Sequence, residues 1–271
     1  MRKIVALVSG LAIAGICIAQ DFDPFQGEKP LAVLIQSDPW AMVIGSDTPR
    51  VAIYENGDVI FMKKTKSQAT YHTIRLTKQE LEMVSSRLRP VFSLGNLKSS
   101  YNLRPNWTDQ PTTKIYMRSD KREITTSVYG MTCSSQSLPT DSKLSSRSSS
   151  SAPPKAFLEI HKWLCELDYP RSNTWVPGYV EVMLWDYSYA PEASIQWPKS
   201  WPSLNSDRAV KRRDAYSIFL DGSKLSDLRG FLSTRSPKGA VEISDRKMAA
   251  SYRFVFPSEP IWRKAFGAAD K

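Results

Sequence analysis

Arg50-Val-Ala-Ile-Tyr-Glu-Asn-Gly-Asp-Val-Ile-Phe-Met62 decides the fold class. Two strand-like runs flank Asn56-Gly57, a dipeptide that accepts positive φ at both positions and so predicts a two-residue type I′ turn. The stretch reads as an antiparallel hairpin. A third strand over residues 71–76 leads into Thr77-Lys-Gln-Glu80, where the Thr hydroxyl and the Glu carboxylate can cap a helix start reciprocally. Leu81, Val84 and Leu88 form the apolar stripe of that helix, and Pro90 is expected to stop it.

Further along, residues 114–118 and 123–128 read as a second hairpin turning at Ser119-Asp120-Lys121. Residues 134–151 are dominated by serine and lack any apolar period, so they cannot bury enough surface to offset their ordering entropy; a flexible loop is expected. Pro153-Pro154 then starts a helix whose stripe is Phe157, Ile160, Leu164 and Leu167.

The second half repeats this order. A strand at residues 179–185 stands where the Val51 strand stood, and residues 216–220 followed by 223–232 repeat strand, turn and helix. A hairpin through residues 240–256 and a Pro-started helix at Pro260 complete the copy. The expected fold is α+β: two similar units of antiparallel sheet with helices packed on one face, related by internal duplication. Residues 20–170 form the first unit and 171–271 the second.

Residues 1–19 have the layout of a secretory signal. Arg2 and Lys3 precede an apolar and small-residue run that ends at Ala19, before Gln20 and Asp21. Cleavage after Ala19 is expected, with secretion or a periplasmic location as the outcome and no stable membrane span afterwards. The run falls slightly short of the roughly 20 apolar residues that a span needs. Ile16, not a small residue, precedes Cys17, which argues against lipid attachment there.

Loss of this leader leaves two of the three cysteines, Cys133 and Cys165. In an oxidising compartment they are the expected disulfide, closing the serine-rich loop. A metal reading would combine them with His161, four residues before Cys165, but no second paired motif supplies the usual zinc spacing. No metal and no cofactor is expected. The formal net charge of +10 is spread among 27 acidic residues. Lys63-Lys64-Thr65-Lys66 and Lys211-Arg212-Arg213 lack the flanking aromatics of a nucleic-acid platform. Nucleic acid is not an expected partner; an envelope polyanion or glycan remains one.

Motifs for a nucleophile elbow, a zinc protease, a phosphate loop and a dinucleotide site are missing from the sequence. His72 and His161 are the only histidines, and neither sits in a setting that marks a catalytic triad. Residues 175–201 hold Trp175, Trp185, Tyr187, Trp197 and Trp201 beside Glu181, Asp186 and Glu192. That combination could stack on sugar rings, and it could equally pack a core. Trp197-Pro-Lys-Ser-Trp-Pro202 reads as a stiff strap covering a sheet edge. Asn106-Trp107-Thr108 fits an N-glycosylation acceptor. The reading is an exported, noncatalytic binding or interaction protein of the envelope or extracellular space, with a carbohydrate-binding or carbohydrate-active protein as the alternative.

Overall fold

The computed structural model describes residues 22–40, 48–64, 69–134 and 152–267. The expected leader, and all but residue 134 of the expected serine-rich loop, lie outside them. Within them the chain is α+β, with two sheets and four helices.

The first sheet contains β1 (Pro30–Ser37), β2 (Pro49–Tyr54), β3 (Asp58–Lys64) and β4 (Ala69–Arg75). Helix α1 (Lys78–Phe92) follows, then β5 (Ser100–Asn102), β6 (Thr112–Arg118), β7 (Glu123–Tyr129), α2 (Lys155–Cys165) and β8 (Asn173–Thr174). The strand order is β5-β7-β6-β1-β2-β3-β4-β8. Strand β1, which has no signal of its own in the sequence, is central: Ala32, Val33 and Leu34 are fully buried between β6 and β2. A strand buried on both faces reads as a continuous apolar run without alternation, and so carries no period-two signal.

The first hairpin forms where expected, but its turn is not type I′. Gly57 donates its N–H to the Tyr54 carbonyl at 3.0 Å, and of Asn56 and Gly57 only Gly57 has positive φ, at 87°. This is a three-residue loop with glycine at the left-handed position. A two-residue turn with both φ values positive occurs instead at Ser244-Asp245. The Thr77–Glu80 capping box is present. Helix α1 runs through Pro90 to Phe92, because Val91 extends its buried stripe.

The second sheet contains β9 (Tyr179–Asp186), β10 (Glu192–Gln196), β11 (Ala209–Arg212) and β12 (Ala215–Asp221). A 3-10 turn over Gly222–Lys224 leads into α3 (Leu225–Ser233), followed by β13 (Gly239–Ile243), β14 (Arg246–Phe254) and α4 (Glu259–Ala265). Its order is β10-β13-β14-β9-β12-β11. Both sheets are antiparallel apart from one pair each, β5 with β7 and β10 with β13. The units are alike in element order and differ in how the late hairpin docks. In the first unit its leading strand β6 lies against β1; in the second its trailing strand β14 lies against β9. The boundary expected at 170/171 falls just before β8, which still pairs with β4 of the first sheet.

Helices α1 and α2 share one face of the first sheet, where Val84, Leu88, Phe157, Ile160 and Leu164 meet Leu34, Ile53, Phe61 and Ile115. The opposite face is covered by the second unit. Val33, Ala52, Tyr54 and Tyr116 pack there against Phe256 and the fully buried Trp262 of α4. The N-terminal segment crosses the other way: Phe22 and Phe25 stack edge-on or tilted against Phe219, and Phe25 accepts the Ser258 N–H at 2.7 Å. A Cβ at Gly27 would lie 2.5 Å from that of Pro257, so only glycine allows this crossing.

A ladder of charges fastens α4, which carries Trp262, to the second sheet. Arg253 on β14 pairs with Glu181 of β9 and, at 2.6 Å, with Glu259 at the start of α4; Arg263 also pairs with Glu259. Glu181 further accepts Ser217 Oγ at 2.5 Å, and Glu259 accepts the Phe256 N–H. Glu181, Arg253 and Glu259 are all buried.

Candidate binding face

The site is built on the outer surface of α1 and α2. Each helix turns its apolar stripe to the sheet, which leaves Met83, Arg87 and Trp163 on the solvent side between them. An open groove of about 770 Å³ runs there, lined by Met83, Trp163 and Tyr169 together with Glu80, Glu82 and Arg87. A second depression of about 460 Å³ continues past Pro90 and Ala156 toward Glu159 and Glu166. Arg87 and Trp163 line both. They form the ridge between them, with the guanidinium 5.2 Å from the ring centroid.

The far end of the groove is pinned. Glu80 caps α1 and takes Arg171 through both carboxylate oxygens, at 2.5 and 2.6 Å. Hydrogen bonds from Thr77 backbone and hydroxyl, then the Arg171 contact, hold its carboxyl below the ordinary range. Tyr169 stands edge-on to the buried Phe61, and burial raises its hydroxyl pKa. Met83 is 59% exposed. A methionine, a tyrosine, a tryptophan and an arginine around one groove are residue types enriched at protein–protein interfaces.

At the C-terminal end of α2 the expected disulfide is formed between Cys133 and Cys165, with Cα atoms 5.3 Å apart. His161, one turn before Cys165, is buried, with Nε2 3.3 Å from Cys165 Sγ. Burial, and secondarily the Arg50 guanidinium, push its pKa down to about 4. The unfolded chain therefore binds a proton between about pH 6.5 and pH 4 that the folded chain does not, and stability falls as pH drops through that window. Urea unfolding from pH 7 to pH 4 should show a loss on the order of 2 kcal/mol in the native protein beyond that in His161→Phe. Parallel curves for the two proteins would exclude this role.

The aromatic residues of 175–201 do not form one surface. Trp175 packs between the units against Tyr71, Phe254 and Phe256. Trp197 and Trp201 meet each other at 5.1 Å and enclose Phe231 of α3; Trp197 is buried and donates Nε1–H to the Pro202 carbonyl. The strap thus fills the core beside α3, while β10 forms the sheet edge. Trp185 stands opposite Ala215 and Ala249 in the sheet, half-buried. Tyr187 is edge-on to Tyr189, which is 77% exposed.

The three carboxylates of that region also part company. Glu181 is in the charge ladder, Asp186 accepts from Ser188 and Glu192 accepts the Lys238 N–H. His72 lies within 3.3 Å of Ser172 Oγ. Asn106 and Trp107 lie exposed, with Arg104 over the Trp107 ring. The groove was missed in the sequence because Met83, Arg87 and Trp163 are off-stripe positions, which a helical period assigns to plain solvent exposure.

Residues 47–144, a little over a third of the chain, match the family described as Domain of unknown function (DUF6438). That span runs from β2 through β7 and includes α1. No curated protein and no solved structure matches the chain. Among the described residues no helix is long and apolar enough to cross a membrane.

Proposed function

We propose that this chain is an exported, noncatalytic binding protein that holds a polypeptide partner on the α1–α2 face. The observation that carries the reading is the groove around Met83, Arg87, Trp163 and Tyr169, whose lining joins apolar and aromatic side chains to charges of both signs. Trp, Tyr and Arg are the types enriched among the few residues that dominate binding energy at protein contacts, Met is enriched at interfaces, and charges of both signs set specificity more than strength. Export is supported by the leader-like residues 1–19 and by the Cys133–Cys165 disulfide, a bond that persists in oxidising compartments. The disulfide anchors the end of α2, so it also stiffens one wall of the groove.

The test is a photo-crosslinking residue placed at position 83 in the full chain, expressed in its native host. A discrete adduct identified by mass spectrometry as one polypeptide, absent with the same probe at the exposed position 189, is the expected result. No adduct at 83, or the same adducts at both positions, would reject the reading.

Carbohydrate binding is the second reading, and the exposed Tyr189 beside Tyr187 is what favours it. Its test is intrinsic fluorescence. A saturable change with a cell-wall or plant polysaccharide that is lost in Tyr189→Ala supports it, and no change with any polysaccharide removes it.

A further inference from the structure

Cys133 and Cys165 are cross-linked, yet the third member of their cluster has no part in the cross-link. His161 Nε2 lies 3.3 Å from Cys165 Sγ, and the three donor atoms all lie within 4.8 Å of one another. Two features hold them there. His161 and Cys165 are one turn apart on the same face of α2, and the Cys133 N–H is bonded to Gln36 Oε1 of β1 at 3.2 Å. The cluster sits at the edge of the first core, with His161 buried and both cysteines half-buried.

We propose that Cys133, Cys165 and His161 are a redox-gated site for a thiophilic divalent cation such as Zn²⁺, closed in the disulfide form and open in the dithiol form. The inference is independent of the binding role assigned to the α1–α2 face.

The geometry of such a site can be compared with what is present. Zinc takes thiolate sulfur at about 2.3 Å and imidazole nitrogen at about 2.0–2.1 Å in a tetrahedron, which sets sulfur–nitrogen separations near 3.6 Å and sulfur–sulfur separations near 3.8 Å. The imidazole is already within a few tenths of an ångström of its required distance from Cys165. Cys133 Sγ must part from Cys165 Sγ and, starting within 4.8 Å of His161 Nε2, come to about 3.6 Å from that nitrogen; rotation of the Cys133 side chain about its Cα–Cβ bond is the movement required. Three protein donors leave the fourth position for water.

The opening step is a thiol–disulfide exchange with an external dithiol. One of its thiolates attacks a cystine sulfur and breaks the S–S bond; its second thiol then displaces the protein sulfur and closes the reductant's own disulfide. The protein is left with two thiols. Binding of the cation replaces both thiol protons, which pass to solvent, and the charge on the metal offsets the two thiolates. Bound metal would then stand in for the lost covalent link between the end of β7 and the end of α2.

The test uses the full mature chain, reduced with a phosphine, desalted without oxygen and titrated with Co²⁺. The expected result is one Co²⁺ per chain, with the thiolate-to-cobalt charge-transfer band of two sulfurs, displaced by Zn²⁺. The oxidised protein should show no band. His161→Ala should keep the charge-transfer band and weaken affinity at least tenfold, while Cys133→Ser should reduce the band to that of one thiolate. Zn²⁺ should also raise the thermal midpoint of the reduced protein and leave that of the oxidised protein unchanged. A folded reduced chain without the band, or His161→Ala binding as tightly as the native chain, would overturn the proposal. Reduced protein that has lost its near-ultraviolet dichroism would overturn it equally, since the site requires the folded scaffold.

Discussion

Replacing Glu259 by alanine is expected to lower the stability of the protein by about 3–5 kcal/mol, the cost typical of leaving one member of a buried ion pair uncompensated. Glu259 is fully buried at the start of α4 and contacts Arg253, Arg263 and the Phe256 N–H at once. Its loss leaves the buried Arg253 guanidinium with Glu181 as its remaining carboxylate among the described residues. It also loosens the first turn of the helix that carries Trp262 onto the back of the first sheet. Arg263→Ala is the control. That side chain is 27% exposed, so solvent screens its pairing and the expected loss is about 1 kcal/mol or less. Urea midpoints of the three proteins measure both. If Glu259→Ala costs no more than Arg263→Ala, the ladder does not fix α4 on the second sheet.

The double variant Cys133→Ser with Cys165→Ser is expected to lose about 3–4 kcal/mol, on the loop-closure account of disulfide stabilisation. The bond spans 32 residues of sequence, including the serine-rich stretch, so its removal gives the unfolded chain a large gain in freedom. In the folded state it fastens the end of α2, whose Phe157, Ile160 and Leu164 are core residues. Reducing agent should shift the native protein by the same amount and leave the double variant unmoved. A native protein indifferent to reductant would show that the α2 packing is sufficient without the bond.

Much of the fold was legible because its signals are local. Asn56-Gly57 between two apolar runs, Thr77 and Glu80 three residues apart, and Pro154 before Phe157 each act within one turn. Their consequences appear as the β2–β3 hairpin, the capping box and α2. What was not legible depends on partners far away in sequence. The turn at Asn56-Gly57 became a three-residue loop because the pairing of β2 with β3 starts at Ile53 and Val59. Strand β1 is apolar on both faces because helices cover one and α4 the other, and nothing within residues 30–37 announces that arrangement.

The candidate sites divide along the same line. Trp197 and Trp201 could be read as surface aromatics only while their neighbour Phe231 was unknown. Glu259 precedes the Pro260 that starts a helix, a place where an acidic residue is ordinary, and only Arg253, brought beside it by β14, makes it a buried paired charge. The disulfide was legible because, once the leader is set aside, two cysteines leave one pairing. The groove was not, since its lining comes from α1, α2 and Tyr169 together and not from either helix alone.

Intact-mass analysis of the protein isolated from its native host, with thiol alkylation before and after reduction, tests the account at its root. The result expected is a chain beginning at Gln20 that takes up no alkyl group until reduced and two afterwards. A chain that retains residues 1–19, with Cys133 and Cys165 both alkylated before reduction, would contradict it.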